Sequence, residues 1–246
     1  MNRVLIAKNA ILIMIAIAVV SLWGGLAISH PRADTSPPTF LTENRQEIPT
    51  NAGWGYTITG DGEIVQSPFR IKVQTGWAPS SIIAHTLAYG FSNENGHGSG
   101  INFSRPIWLA FKVKRAEGGS RAIEAKVQLK LSNGIGDLDN TGEGIGIHVA
   151  NYSVKAEAKE SYKQYYSPVF QTMADDTWYP ISIYVDGLSD IAMWYLDETL
   201  VAETPIPGAV PSGSSNVAPY LVMSITNGVT SQHAAISIAQ VRMWQP

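Results

Sequence analysis

The chain has 246 residues, a formal net charge of −3 at neutral pH, 15% charged residues and no cysteine. Without cysteine there is no disulfide framework, thiolate nucleophile or Cys-ligated metal. The charge balance leaves no basic stripe for a phosphate backbone, so nucleic acid is not an expected partner.

The first element is apolar. After Arg3 and Lys8, residues 9–29, "NAILIMIAIAVVSLWGGLAIS", carry no charge. At about 1.5 Å per residue, a helix of this length spans the roughly 30 Å hydrocarbon layer. The cations before it predict a cytoplasmic N-terminus, and Trp23 suits the far interface. Gly24 and Gly25 would let another membrane helix approach closely. A cleavable signal peptide is the competing reading, with Ala27-Ile28-Ser29 as the small-residue site. The apolar run is longer than a signal peptide's usual core of about 7–15 residues, which favours an anchor over 1–29. Residues 30–53 lack apolar periodicity and contain Pro37-Pro38, as an extended tether does, with Phe40 and Leu41 available for docking.

From residue 54 to 246 the pattern is that of one β domain. "YTITGDGEIVQS", residues 56–67, reads as two strands around a Gly-Asp-Gly hairpin turn. In "EAKVQLKLS", Val127, Leu129 and Leu131 face one way and Lys126, Gln128 and Lys130 the other, a sheet with one wet face. The same alternation runs through Phe111 and Val113, through Ile181, Ile183 and Val185, and through Ile236 and Ile238. "SVKAEAKESYKQYY", residues 153–166, is the best candidate for a helical turn or two. The predicted fold class is all-β, two antiparallel sheets packed face to face, preceded by one transmembrane helix.

"TWYPISIYVDG" followed by "MWYLDETLVAE", together with the closing "AAISIAQVRMW", resembles the paired strands of laminin-G-like jelly rolls in the concanavalin A-like superfamily. Trp178 opens a strand that ends in Asp186-Gly187, and Tyr195-Leu196-Asp197-Glu198 stands where that family carries a Tyr-x-Asp-Gly turn. The chain departs at Glu198, where Gly is usual, and at Ala239-Gln240, where an acidic residue is common. In the last strand Ile236 and Ile238 have one phase, Val241 and Met243 the other, so a bulge near Ala239-Gln240 is expected to turn all four inward.

The resemblance brings lectins and glycosidases into view, and each needs a site. Glycosidases of this superfold place two carboxylates on one strand face, and no Glu-x-Asp-x-Glu run occurs. Asp186, Asp190, Asp197 and Glu198 fall in turns, where acids cap backbone NH groups. Residues 134–146, "GIGDLDNTGEGIG", concentrate oxygen ligands: Asp137, Asp139 and Glu143 match the first half of a calcium loop, but His148 stands where a bidentate Glu would close it. The histidines show no zinc spacing, and there is no nucleophile elbow or P-loop.

Trp54, Trp77, Tyr89, Tyr152, Tyr162, Tyr165, Tyr166 and Tyr220 fall in or beside loop-like stretches, where an aromatic plate can meet a sugar or a protein; Trp54, Trp77, Tyr165 and Tyr166 are the foremost candidates. Trp178, Trp194 and Trp244 lie in strands and are expected in the core. No catalytic residue is assigned and no cofactor is required; calcium is the one metal with a candidate loop. The sequence therefore predicts a single-pass membrane protein with its β domain periplasmic or extracellular, acting as a non-catalytic assembly subunit of a membrane complex. The alternatives are a tethered carbohydrate-binding module and, third, a glycoside hydrolase using Asp186, Asp197 or Glu143.

Overall fold

The computed structural model describes residues 54–59, 62–67, 70–76, 82–87, 105–116, 124–130, 144–160, 163–205, 208–210, 220–226 and 235–244. All belong to a compact unit that runs from Pro37 to Pro246. The anchor with Trp23, Gly24 and Gly25, and the tether, lie outside the described residues. Among the described residues, no helix is long and apolar enough to cross a membrane.

The strands are β1 (Trp54–Thr59), β2 (Glu63–Ser67), β3 (Arg70–Gln74), β4 (Ile82–Leu87), β5 (Ile107–Ala116), β6 (Glu124–Lys130), β7 (Gly144–Ala150) and β8 (Ser153–Glu160). They continue as β9 (Lys163–Tyr166), β10 (Gln171–Thr172), β11 (Trp178–Asp186), β12 (Ile191–Leu196), β13 (Thr199–Glu203), β14 (Tyr220–Thr226) and β15 (Ala235–Trp244). An eight-stranded sheet has the order β1-β4-β14-β6-β7-β8-β10, with β9 also pairing β8, and a seven-stranded sheet has the order β13-β12-β11-β5-β15-β3-β2.

The inner faces follow the period-two pattern. Ile71, Val73, Leu109, Phe111, Val113, Ile181, Ile183 and Ile238 of one sheet meet Val127, Leu129, Ile145, Ile147, Val154, Ala156, Ala158 and Met223 of the other in one buried cluster. Each large aliphatic side chain so buried contributes about 1.5–3 kcal/mol to the fold. The bulge in the last strand is present: the register with β5 shifts between Ala239 and Arg242, and Gln240 takes φ 52°. Ile236, Ile238 and Val241 are all buried as a result, and Met243 packs against the same core.

Two expectations are corrected. Residues 56–67 do not form a hairpin: β1 pairs with β4 in the eight-stranded sheet, while β2 pairs with β3 in the other. Turn-forming glycines mark a change of direction but not whether the chain returns to the same sheet. Nor are the described residues of 153–166 helical. They form β8 and β9, with Val154, Ala156 and Ala158 buried on the inner face. The alanines and lysines favour a helix locally, but their strict alternation fits a half-buried strand, and tertiary pairing wins over propensity.

Turn acids behave as caps. Asp186 Oδ1 accepts from the Leu188 and Ser189 amides at 3.2 and 3.3 Å, and its Oδ2 from the Ser189 hydroxyl at 2.7 Å. Asp190 accepts from the amides of Gly208 and Val210. At one end of the sandwich, buried Arg115 of β5 pairs with Asp175 at 2.6 Å and stacks on Tyr152 of the β7–β8 turn, 3.7 Å from the ring centroid. That stack joins the two sheets, which explains a charged residue at an inward position.

Candidate functional site on the outer face of the eight-stranded sheet

Antiparallel register sets outward residues into rows across the sheet. One row reads Gln128, Gly146, Glu157, Tyr166, and the next reads Lys126, His148, Lys155. A third row holds Glu124, Ala150 and Ser153. Of the residues expected on a wet face, Lys126 and Gln128 are sealed from water, and Glu157 in the neighbouring strand is buried with them.

Glu157 is 2% exposed and organises the patch. Its Oε2 accepts from Gln128 Nε2 at 2.6 Å. Its Oε1 accepts from the Tyr166 hydroxyl at 2.9 Å, Gln164 Nε2 at 3.1 Å and Lys126 Nζ at 3.4 Å. Gln164 Nε2 also donates to the Tyr166 oxygen at 2.8 Å. A buried carboxylate needs such company, because an unpaired one would cost several kcal/mol or be forced to protonate, on the order of what pairing must offset. Gly146 stands between Gln128 and Glu157 in the row and has no side chain to separate them.

Beside this network is an open hollow of about 380 Å³ lined by Glu124, Lys126, His148, Lys155, Gln164 and Tyr166. The His148 and Tyr166 rings lie 5.8 Å apart at 51°. His148 Nε2 and Gln128 Oε1 are buried without a hydrogen-bond partner among the described residues. Burial, and then the Lys126 charge, hold the His148 imidazole below its usual range against the opposing pull of Glu157, so it is neutral near pH 7. Burial, then the charge of Glu157 and the hydrogen bond to it, push the Tyr166 phenol up to about 12. Tyr166 thus keeps its proton and acts as a hydrogen-bonding group with a partly exposed ring.

The predicted contact residues separate. Tyr166 is 41% exposed at the hollow. Tyr165 points the other way, is 7% exposed and stacks on Trp194 with centroids 6.1 Å apart, so it is a core residue and not a partner contact. Adjacent strand residues face opposite sides, which is the reason. Trp54 lies in β1, its side chain outside the described residues, as are Trp77, Asp137, Asp139 and Glu143. Among the described residues no group of three or more His, Cys, Asp or Glu could hold a metal ion. Trp194 is fully buried as expected, whereas Trp178 is half-buried on the outward phase of β11 beneath the Lys114 ammonium, 5.4 Å from the ring.

Sequence reasoning missed Glu157, Gln164, Lys126 and Lys155 as a group. The one available signal was the outward phase of "VKAEAKE", whose polar positions read as a solvated face until pairing brings Gln128 and Tyr166 alongside.

No protein-family model matches the chain, and no curated protein sequence matches it. Solved structures do. The carbohydrate recognition domain of Emp47p is similar at a TM-score of 0.53 with 11% identity, over 85% of this chain and 94% of that one. The metal-free carbohydrate recognition domain of Emp46p gives 0.51 and 11% identity, over 78% and 88%. A sialidase gives 0.51 and 9% identity over 81% of this chain, but this corresponds to only 18% of the sialidase chain. At these identities the likeness is one of fold: a two-sheet antiparallel β-sandwich like that of the carbohydrate recognition domains.

Proposed function

We propose that the protein is a lectin-like module that binds a glycan on the outer face of the eight-stranded sheet, over β6 to β9. The observation that carries this reading is the Glu157 network, a buried carboxylate that holds Gln164 and Tyr166 in fixed geometry at the edge of an open hollow. Contacts from Gln164 Nε2 to Glu157 and to the Tyr166 hydroxyl fix the amide of this exposed side chain on the wall of the hollow. The Tyr166 ring offers an apolar plate, and Lys155 a donor. Sugars are bound by this combination of ring stacking and hydroxyl-matched polar groups. The fold shared with carbohydrate recognition domains supports glycan binding over assembly of a membrane complex, which rests on the apolar run at 9–29. In this reading that run anchors the module in a bilayer, with the β domain outside.

The test is binding of the full-length protein, purified in detergent, to immobilised glycans of broad class, with and without a calcium chelator. Saturable binding is expected, and Gln164→Ala and Tyr166→Ala should each weaken it by about tenfold or more, since one good polar or stacking contact is worth about 1.4 kcal/mol. Folded protein that binds no glycan sinks the proposal, as do variants that bind unchanged. The chelator arm decides whether calcium at Asp137, Asp139 and Glu143 is involved.

A further inference from the structure

The row Lys126, His148, Lys155 places two lysines one strand to either side of a histidine on the wall of the hollow. Their Cα atoms are therefore roughly 10 Å apart, two strand spacings. Lysine stems bring ammonium groups together over such a gap, and each ammonium is a compact charge with three donors.

The two ammonium groups are differently placed. Lys126 makes the longest of the contacts to Glu157, 3.4 Å, while neutral donors occupy that carboxylate at 2.6, 2.9 and 3.1 Å. Lys126 thus stays paired within the network while its charge borders the hollow that it lines. Lys155 makes no ion pair among the described residues, although it lines the same hollow as Lys126. The imidazole between them stays neutral and adds no third cation.

Carboxylates bound this strip on both sides. Glu157 lies in the row above and Glu124 in the row below, the latter also on the hollow wall. A chain carrying many closely spaced anionic groups would set some of them against these two acids, and like charges brought together at an interface cost several kcal/mol, an order-of-magnitude figure. One anionic group fits between the lysines; a dense polyanion does not.

We infer that the sugar unit seated over His148 carries a single carboxylate, as in a uronic or sialic acid, held between Lys155 and Lys126 with its ring toward Gln164 and Tyr166. This rests on the glycan reading above. It deepens that reading by naming the charge class of the ligand.

The experiment compares five probes on the full-length protein by calorimetry: a uronic acid oligosaccharide, a sialylated oligosaccharide, the methyl ester of each, and a heavily sulfated oligosaccharide. At least one acid is expected to bind about tenfold or more tighter than its own ester, as a charge-assisted contact predicts. That preference should shrink with added salt. Lys155→Ala should abolish the preference of the acid over its ester, Lys155→Arg should retain part of it, and Glu124→Gln should relax the exclusion of the sulfated probe. Equal binding of acid and ester, an unchanged ratio in Lys155→Ala, or tightest binding of the sulfated probe each overturns the inference. If only neutral glycans bind, the carboxylate inference falls and the glycan function stands; if the folded protein binds no glycan at all, both fall.

Discussion

His148 sits one strand from a lysine on each side and is half-buried, and both circumstances disfavour its charged form. Its neutral form is therefore favoured by folding, which has a consequence for stability against pH. Between its lowered folded value and the unfolded value of about 6.5, the unfolded chain binds the extra proton. The contribution of His148 is complete above about pH 6.5 and is lost as the pH falls toward the folded value. Urea unfolding at pH 7.5 and 5.5 should show this: the wild type loses more stability on acidification than His148→Gln does. An equal loss in both would mean that the histidine is not linked to folding.

At the scale of single elements, the hairpin joining β12 to β13 shows where the sequence carries strain. Leu196 pairs with Thr199, leaving Asp197 and Glu198 as a two-residue loop with φ of 48° and 66°. Both positive values are those of a type I′ turn, whose twist matches the strands it joins. Aspartate tolerates this conformation; glutamate does not, at a cost of about 1–2 kcal/mol. The departure from glycine at Glu198 thus has a physical consequence. Glu198→Gly should raise stability by about 1 kcal/mol after the greater flexibility of unfolded glycine is deducted, measurable as a higher urea midpoint at constant slope. A neutral or lower midpoint would show that the loop is not strained at this position.

For the molecule as a whole, a buried hydrogen bond ties sheet to sheet through the core. The indole of Trp194 in β12 donates to the Gly146 carbonyl of β7 at 2.7 Å, so the N–H of the largest fully buried side chain among the described residues is satisfied from the opposite sheet. A Cβ on Gly146 would overlap the Val127 carbonyl oxygen and lie 2.7 Å from Gln128 Cα, both backbone atoms of β6 that cannot swing aside. Gly146→Ala should therefore cost on the order of 3 kcal/mol or more, through strand displacement and an orphaned indole N–H. It should also disturb the Gln128 and Glu157 pair that reaches across the glycine. Thermal unfolding combined with the glycan assay checks both effects; an alanine variant of native stability would remove the close approach from the account.

The sheet class, the inward aliphatic set, the capping role of Asp186 and the bulge at Ala239-Gln240 were legible in the sequence, because each follows from a local rule: alternation, turn chemistry, or a change of phase. Residues 56–67 and 153–166 were misread because local pattern does not say which strand is the neighbour, and neighbours decide whether a Gly-rich turn closes a hairpin or carries the chain to the other sheet. The site needed still more. Glu157 and Tyr166 are near in sequence, yet Gln128 and Lys126 come from a distant strand, and only antiparallel register sets them in adjoining rows. The sequence by itself determined that this domain would be a sandwich with polar outer positions. The tertiary structure alone decided that some of those positions are buried, paired and gathered around one hollow, since burial and partnership depend on strand neighbours that a linear pattern does not contain.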